Sequence, residues 1–128
     1  MALSTAPIPN LPVETIDAKG KILGRLATEI AAKLIGKDLP SFDPTSVITR
    51  PITVVNAQYV VVTGRKSEQK VYRRHTGYPG GLRERSYKEQ MVLDPTHILR
   101  HAVRGMLPKN RLQTPRMKQL TILRGEAL

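Results

Sequence analysis

Residues 52–63, Ile-Thr-Val-Val-Asn-Ala-Gln-Tyr-Val-Val-Val-Thr, constrain the fold more than any other stretch. Continuous β-branched runs such as Val54-Val55 and Val60-Val61-Val62 suit a strand covered on both faces, as in a parallel sheet flanked by helices. Asn56-Ala57-Gln58 breaks the run with a turn. A helix is available upstream to pack on such a sheet. Ile22, Leu26, Ile30 and Leu34 recur every four residues beside Leu23, Ala27, Ala31 and Ile35, which makes one broad apolar face, while Arg25, Glu29 and Lys33 project elsewhere. Gly36 stands where a C-terminal cap belongs.

The remaining segments follow the same logic. Residues 13–18 read as a short strand and residues 18–21 as the turn after it, while Pro40 and Pro44 make the stretch from Asp38 a loop. Ser86-Tyr87-Lys88-Glu89 has the form of a capping box at the start of a short helix. Asp94-Pro95 opens another, with an apolar face of Ile98, Leu99, Ala102, Val103 and Met106 that ends near Gly105 and Pro108. Thr114-Pro115 starts one more helical turn, and residues 120–123 form a last strand. The expected architecture is a three-layer α/β/α single domain over residues 13–128, with a mostly parallel four-stranded sheet and basic loops. Pro7, Pro9 and Pro12 make residues 1–12 a flexible, extended N-terminal arm without a signal-like apolar run, and no stretch reaches the ~20 apolar residues of a membrane span.

Charge points to the partner. The chain carries 21 Lys plus Arg against 10 Asp plus Glu, a net of +11 over 128 residues. Residues 1–64 hold six bases and five acids, +1, and residues 65–128 hold fifteen bases and five acids, +10. A localised excess of this size predicts a polyanion. Arg65, Lys66, Lys70, Arg73 and Arg74 supply five cations within ten positions, and His75, Thr76, Gly77, Gly80 and Gly81 follow as a loop whose amides can approach a phosphate closely. Tyr72 and Tyr78 offer rings for a base or ribose. A second run, Arg100, Arg104, Lys109, Arg111, Arg116, Lys118 and Arg124, contains no acid, and Lys109-Asn110-Arg111 is a loop that can mould itself to irregular RNA. With four Tyr, one Phe and no Trp, charge and shape outweigh base stacking.

Enzymatic readings are weaker. The absence of cysteine excludes disulfides, Cys-based zinc sites and thiol catalysis. His97 and His101 stand four apart, but His-Ile-Leu-Arg-His lacks an adjacent Glu and sets Arg100 beside any metal, so they read as surface histidines. The Gly77–Gly81 stretch is neither a dinucleotide fingerprint nor a P-loop. No catalytic residue, metal, cofactor or small-molecule substrate is expected.

Several motifs, in order, carry a resemblance. Ile16-Asp17-Ala18, Leu23-Gly24-Arg25-Leu26-Ala27-Thr28, Val54-Val55-Asn56-Ala57, Val62-Thr63-Gly64-Arg65-Lys66, His75-Thr76-Gly77 with Gly80-Gly81, and Ala102 to Asn110 together resemble the universal large-subunit ribosomal protein L-thirteen family in its bacterial and organellar form. The resemblance implies a parallel-sheet α/β domain that binds 23S-type ribosomal RNA, meets neighbouring ribosomal proteins, supports early subunit assembly and performs no catalysis. The resemblance places the family's basic loops on Thr63–Lys66 and His75–Gly81 and its Gly-Met-Leu-Pro-Lys loop on Gly105–Lys109; together with the charge runs, this makes Arg65, Lys66, Lys70, Arg73, Arg74, Arg104, Lys109, Asn110, Arg111, Arg116 and Lys118 the expected rRNA contacts, mainly to phosphate, with close backbone approach at His75, Thr76, Gly77, Gly80 and Gly81. A cytoplasmic bacterial or an organellar ribosome is implied as the location. Two departures stand out: Thr49-Arg50 replaces the usual Gly-Asp before the second strand, and Glu14-Thr15 replaces an aromatic pair.

Overall fold

The computed structural model describes residues 11–40 and 42–126. The expected arm falls mostly on residues 1–10, outside the described residues. Leu11, within it, is anchored: its amide donates to the Thr49 carbonyl at 3.0 Å.

The molecule is mixed α/β, but its parallel sheet has three strands rather than the expected four. Strands β1 (Glu14–Asp17), β2 (Ile52–Val55) and β5 (Leu120–Ile122) lie in the order β1-β2-β5, all parallel. Helix α1 (Leu23–Ile35) crosses from β1 to β2. The second half of the 52–63 run does not become a strand. Asn56 adopts φ 60°, a left-handed turn that Asn tolerates, and leads into a 3₁₀ turn at Ala57–Tyr59. Beyond that turn only Val61 meets its neighbour, as a single parallel bridge to Ile22.

The sheet also departs from the three-layer expectation. Ile16, Ile52, Val54, Leu120 and Ile122 project to one face and are buried. On the other, Thr15, Thr53 and Thr121 stand in register across the three strands, and Thr15 and Thr121 are exposed. No helix covers that row among the described residues.

Two amphipathic helices form the core on the buried face. Helix α1 supplies Leu26, Ile30 and Leu34, and α4 (Pro95–Met106) supplies Ile98, Leu99 and Val103, each at most 1% exposed. Each such side chain contributes roughly 1.5–3 kcal/mol by leaving water. The caps read from sequence are present. Gly36 takes φ 91°, Ser86 Oγ accepts from the Glu89 amide at the start of α3 (Tyr87–Leu93), and Asp94 Oδ1 accepts from the Thr96 amide ahead of Pro95.

The basic segment after Gly64 is structured rather than a loop. It forms a one-turn helix, α2 (Lys66–Gln69), then strand β3 (Val71–His75), a tight turn, and strand β4 (Leu82–Ser86) antiparallel to β3. Helix α5 (Gln113–Lys118) precedes β5.

Glu14 and Arg50 meet. Arg50 donates to Glu14 Oε2 at 3.1 Å and to Asp38 Oδ1 at 2.6 Å, and Lys33 pairs with Glu14. This network joins α1, the strand β1 and the lead into β2. The Lys33 ammonium holds the Glu14 carboxyl below its usual range, and the Arg50 guanidinium does the same to Asp38.

Candidate nucleic-acid interface

Strand alternation sorts the hairpin into two faces. Tyr72 lies opposite Arg85 and Arg74 opposite Arg83, so three guanidinium groups line one face. Like charges directly opposed on a sheet are destabilising by about 0.2–1 kcal/mol. On the other face Arg73 is opposite Glu84 and donates to it at 2.8 Å. Arg83 and Arg85 lie outside both basic runs of the sequence and join the interface only through strand β4. There, Arg83-Glu84-Arg85 is a period-two pattern that aims both arginines the same way.

The glycine-rich turn closes this hairpin instead of forming an open amide cradle. The Thr76 amide donates to the Gly81 carbonyl at 3.0 Å, the Gly81 amide to the Tyr78 carbonyl at 2.9 Å, and the Gly77 amide to His75 Nδ1 at 2.9 Å. Three of the expected phosphate donors are therefore engaged internally. Gly81 is required by space: a Cβ there would sit 2.0 Å from Thr76 Oγ1 and 2.8 Å from the Tyr78 carbonyl oxygen. Tyr78, at the tip, is 75% exposed.

Helix α4 brings the two basic clusters together. Its outward side carries His97, Arg100, His101 and Arg104, one turn apart in pairs. His101 borders four adjoining grooves. One leads to the arginines of the hairpin, one to Arg100, one to Lys109 and Asn110, and one to Lys66 and Lys70. The Tyr72 ring packs edge-on against His97 and His101, with centroids 5.9 and 5.5 Å away, and is not free to stack on a base. Burial pushes the Tyr72 phenol up to about 12. Burial lowers the His101 imidazole, helped by the nearby His97, Lys70 and Arg104 charges.

The other expected residues divide. Lys70 is half-buried, with its ammonium 5.5 Å from the Tyr72 ring centre. Lys109, Asn110 and Arg111 form an exposed loop, where Asn110 Oδ1 accepts from the Leu112 amide and Gln113 Nε2 from α5 donates to the Arg104 carbonyl at 2.7 Å. Arg65, Arg111 and Lys118 are exposed but do not line these four grooves.

Arg116 requires correction. It was expected to meet phosphate, but it is 2% exposed. Helix α5 is amphipathic in reverse: Pro115 and Lys118 face out, and the register turns Arg116 inward. Its Nη2 reaches the Ser46 carbonyl only at 3.5 Å and its Nε has no hydrogen-bond partner among the described residues.

The comparison with known families decides what this surface belongs to. The family model described as ribosomal protein L13 matches residues 13–128. The chain belongs to the ribosomal protein L13 family. It is 57% identical over 110 residues to the large ribosomal subunit protein uL13 of Rubrobacter xylanophilus, covering 86% of this chain and 77% of that protein. The uL13 proteins of Chloroflexus aggregans and Caldanaerobacter subterraneus subsp. tengcongensis are 52% and 49% identical over the same shares. The L13 assignment agrees with the motif order, and it places the His101-centred face within the matched region.

Proposed function

We propose that this L13-family chain is a structural constituent of the large ribosomal subunit that binds 23S-type rRNA and supports early subunit assembly, without catalysis. The observation that carries the reading is the convergence of two cationic clusters, distant in sequence, on the outward side of α4, with Arg74 and Arg83 directly opposed and cations outnumbering the two carboxylates, Glu84 and Asp94, that line the same groove. Such a face is complete only when an anion sits on it. An RNA backbone, with its closely spaced phosphates, fits an extended set of grooves better than a compact anion does. Arg74, Arg83, Arg85, Arg100, Arg104 and Lys109 form the central contact, with Arg65, Lys66, Lys70, Arg73, Arg111 and Lys118 at its margins.

Residues 13–128 act as one unit in this reading, and the weakly charged first half supplies the scaffold. Neighbouring large-subunit proteins complete the environment, in a bacterial or an organellar ribosome. Sedimentation of cell extract at moderate salt tests the reading. Co-migration with large subunits supports it, and recovery only in the light fractions refutes it.

A further inference from the structure

One of the grooves around His101 differs from the rest. It lies between the start of α1, the segment after Val61, and the end of α4, and encloses about 570 Å³, within the range of roughly 300–1,000 Å³ that takes small organic groups. Arg25, Lys66 and Lys70 stand at its margin. Val62 and Met106 make its interior apolar, and Thr28 Oγ1 ties the two helices across it with a 3.2 Å contact to Met106 Sδ. Its walls are bare where α1 and α4 face it: Gly24 and Gly105 both line it, and a Cβ added at either would meet no atom within 4 Å. Neither glycine has a positive φ, so backbone conformation does not require them. Their lack of side chains leaves the cleft open.

A phosphate alone needs the cations but not an apolar cleft. A base alone needs the cleft but not three cations. We infer that this cleft takes one unstacked nucleotide of the rRNA, with its base and ribose against Val62, Met106 and the two bare glycines and its flanking phosphates on Arg25, Lys66 and Lys70. The inference rests on the rRNA-binding reading and adds to it a point of insertion distinct from the backbone contacts of the hairpin. Bases splayed from single-stranded or bulged RNA are the species available for such a site. The α4 end and the cleft cations would then grip the same strand from two sides.

Gly105→Leu and Gly24→Leu fill the cleft without changing charge, and the open space at both positions lets each variant fold. Binding to in vitro transcribed large-subunit rRNA is measured for both variants and the unaltered chain, together with zero-length ultraviolet crosslinking of the unaltered complex. Each variant is expected to lose about tenfold or more in affinity, the size of one lost base contact, with the salt dependence unchanged. Nucleotide adducts are expected at Val62 or Met106. Affinities within twofold of the unaltered chain, with adducts confined to the 71–86 hairpin, overturn the insertion and leave the rRNA-binding reading standing. If the unaltered chain does not bind the rRNA, both fall.

Discussion

Arg74 and Arg83 face each other directly across the antiparallel pair of β3 and β4. Two exposed guanidinium groups in that register repel in the free protein and share an anion in a complex, so stability and binding should move in opposite directions when one is removed. Arg83→Thr, which keeps a strand-forming side chain, is expected to raise stability by about 0.2–1 kcal/mol and to weaken rRNA binding. Thermal melting and a filter-binding titration check the two signs. A fall in both would mean that Arg83 supports the fold rather than the interface.

The burial of Arg116 makes a second contrast. A buried charge with no carboxylate partner costs free energy that an apolar side chain of similar length avoids. Arg116→Met is therefore expected to stabilise the protein by about 1 kcal/mol or more and to leave the salt dependence of rRNA binding untouched. Chemical denaturation and binding at two salt concentrations measure both. Reduced affinity in the variant would return Arg116 to the interface.

The network of Glu14, Arg50, Asp38 and Lys33 sets the acid limb of stability. Lys33 and Arg50 depress the folded-state values of the Glu14 and Asp38 carboxyls, so their contribution is present above the ordinary carboxylate range and is lost as pH falls through the lowered values. Stability should fall below about pH 5 as these groups protonate. Arg50→Ala leaves both carboxylates without that partner and is expected to cost about 2 kcal/mol at pH 7, less than a fully buried pair because both carboxylates keep solvent contact. The variant's stability should also depend less on pH over the acid limb. Denaturant midpoints at pH 7, 5 and 4 test this, and parallel pH curves for the variant and the unaltered chain would contradict it.

The sequence made the helices legible because their signals are local. Apolar spacing marks α1 and α4, Gly36 marks the end of α1, Asp94-Pro95 the start of α4 and Ser86 the start of α3. The sheet was overestimated because the second valine run looks like a strand and only the left-handed Asn56, a tertiary choice, turns it away. The basic segment reads as a loop because most side chains of its hairpin remain in water, with Val71 and Tyr72 the half-buried apolar exceptions, which leaves too little apolar alternation to mark two strands. Arg116 was misplaced because a count of charges does not show which way a short helix faces. His101 gained its place as the meeting point of the grooves from the packing of α4 against the hairpin, which no spacing in the chain encodes.

In the proposed function, the cationic face around α4 and the hairpin holds rRNA through its phosphates. The direct test is the affinity of the unaltered chain and of an Arg74→Ala, Arg83→Ala double variant for large-subunit rRNA across a salt series. With six or more phosphates engaged, the unaltered chain should lose about 10³-fold in affinity between 50 and 200 mM salt. The double variant's log–log slope should be shallower by about 2. A nearly flat dependence for the unaltered chain, or the same slope for both proteins, would contradict the account.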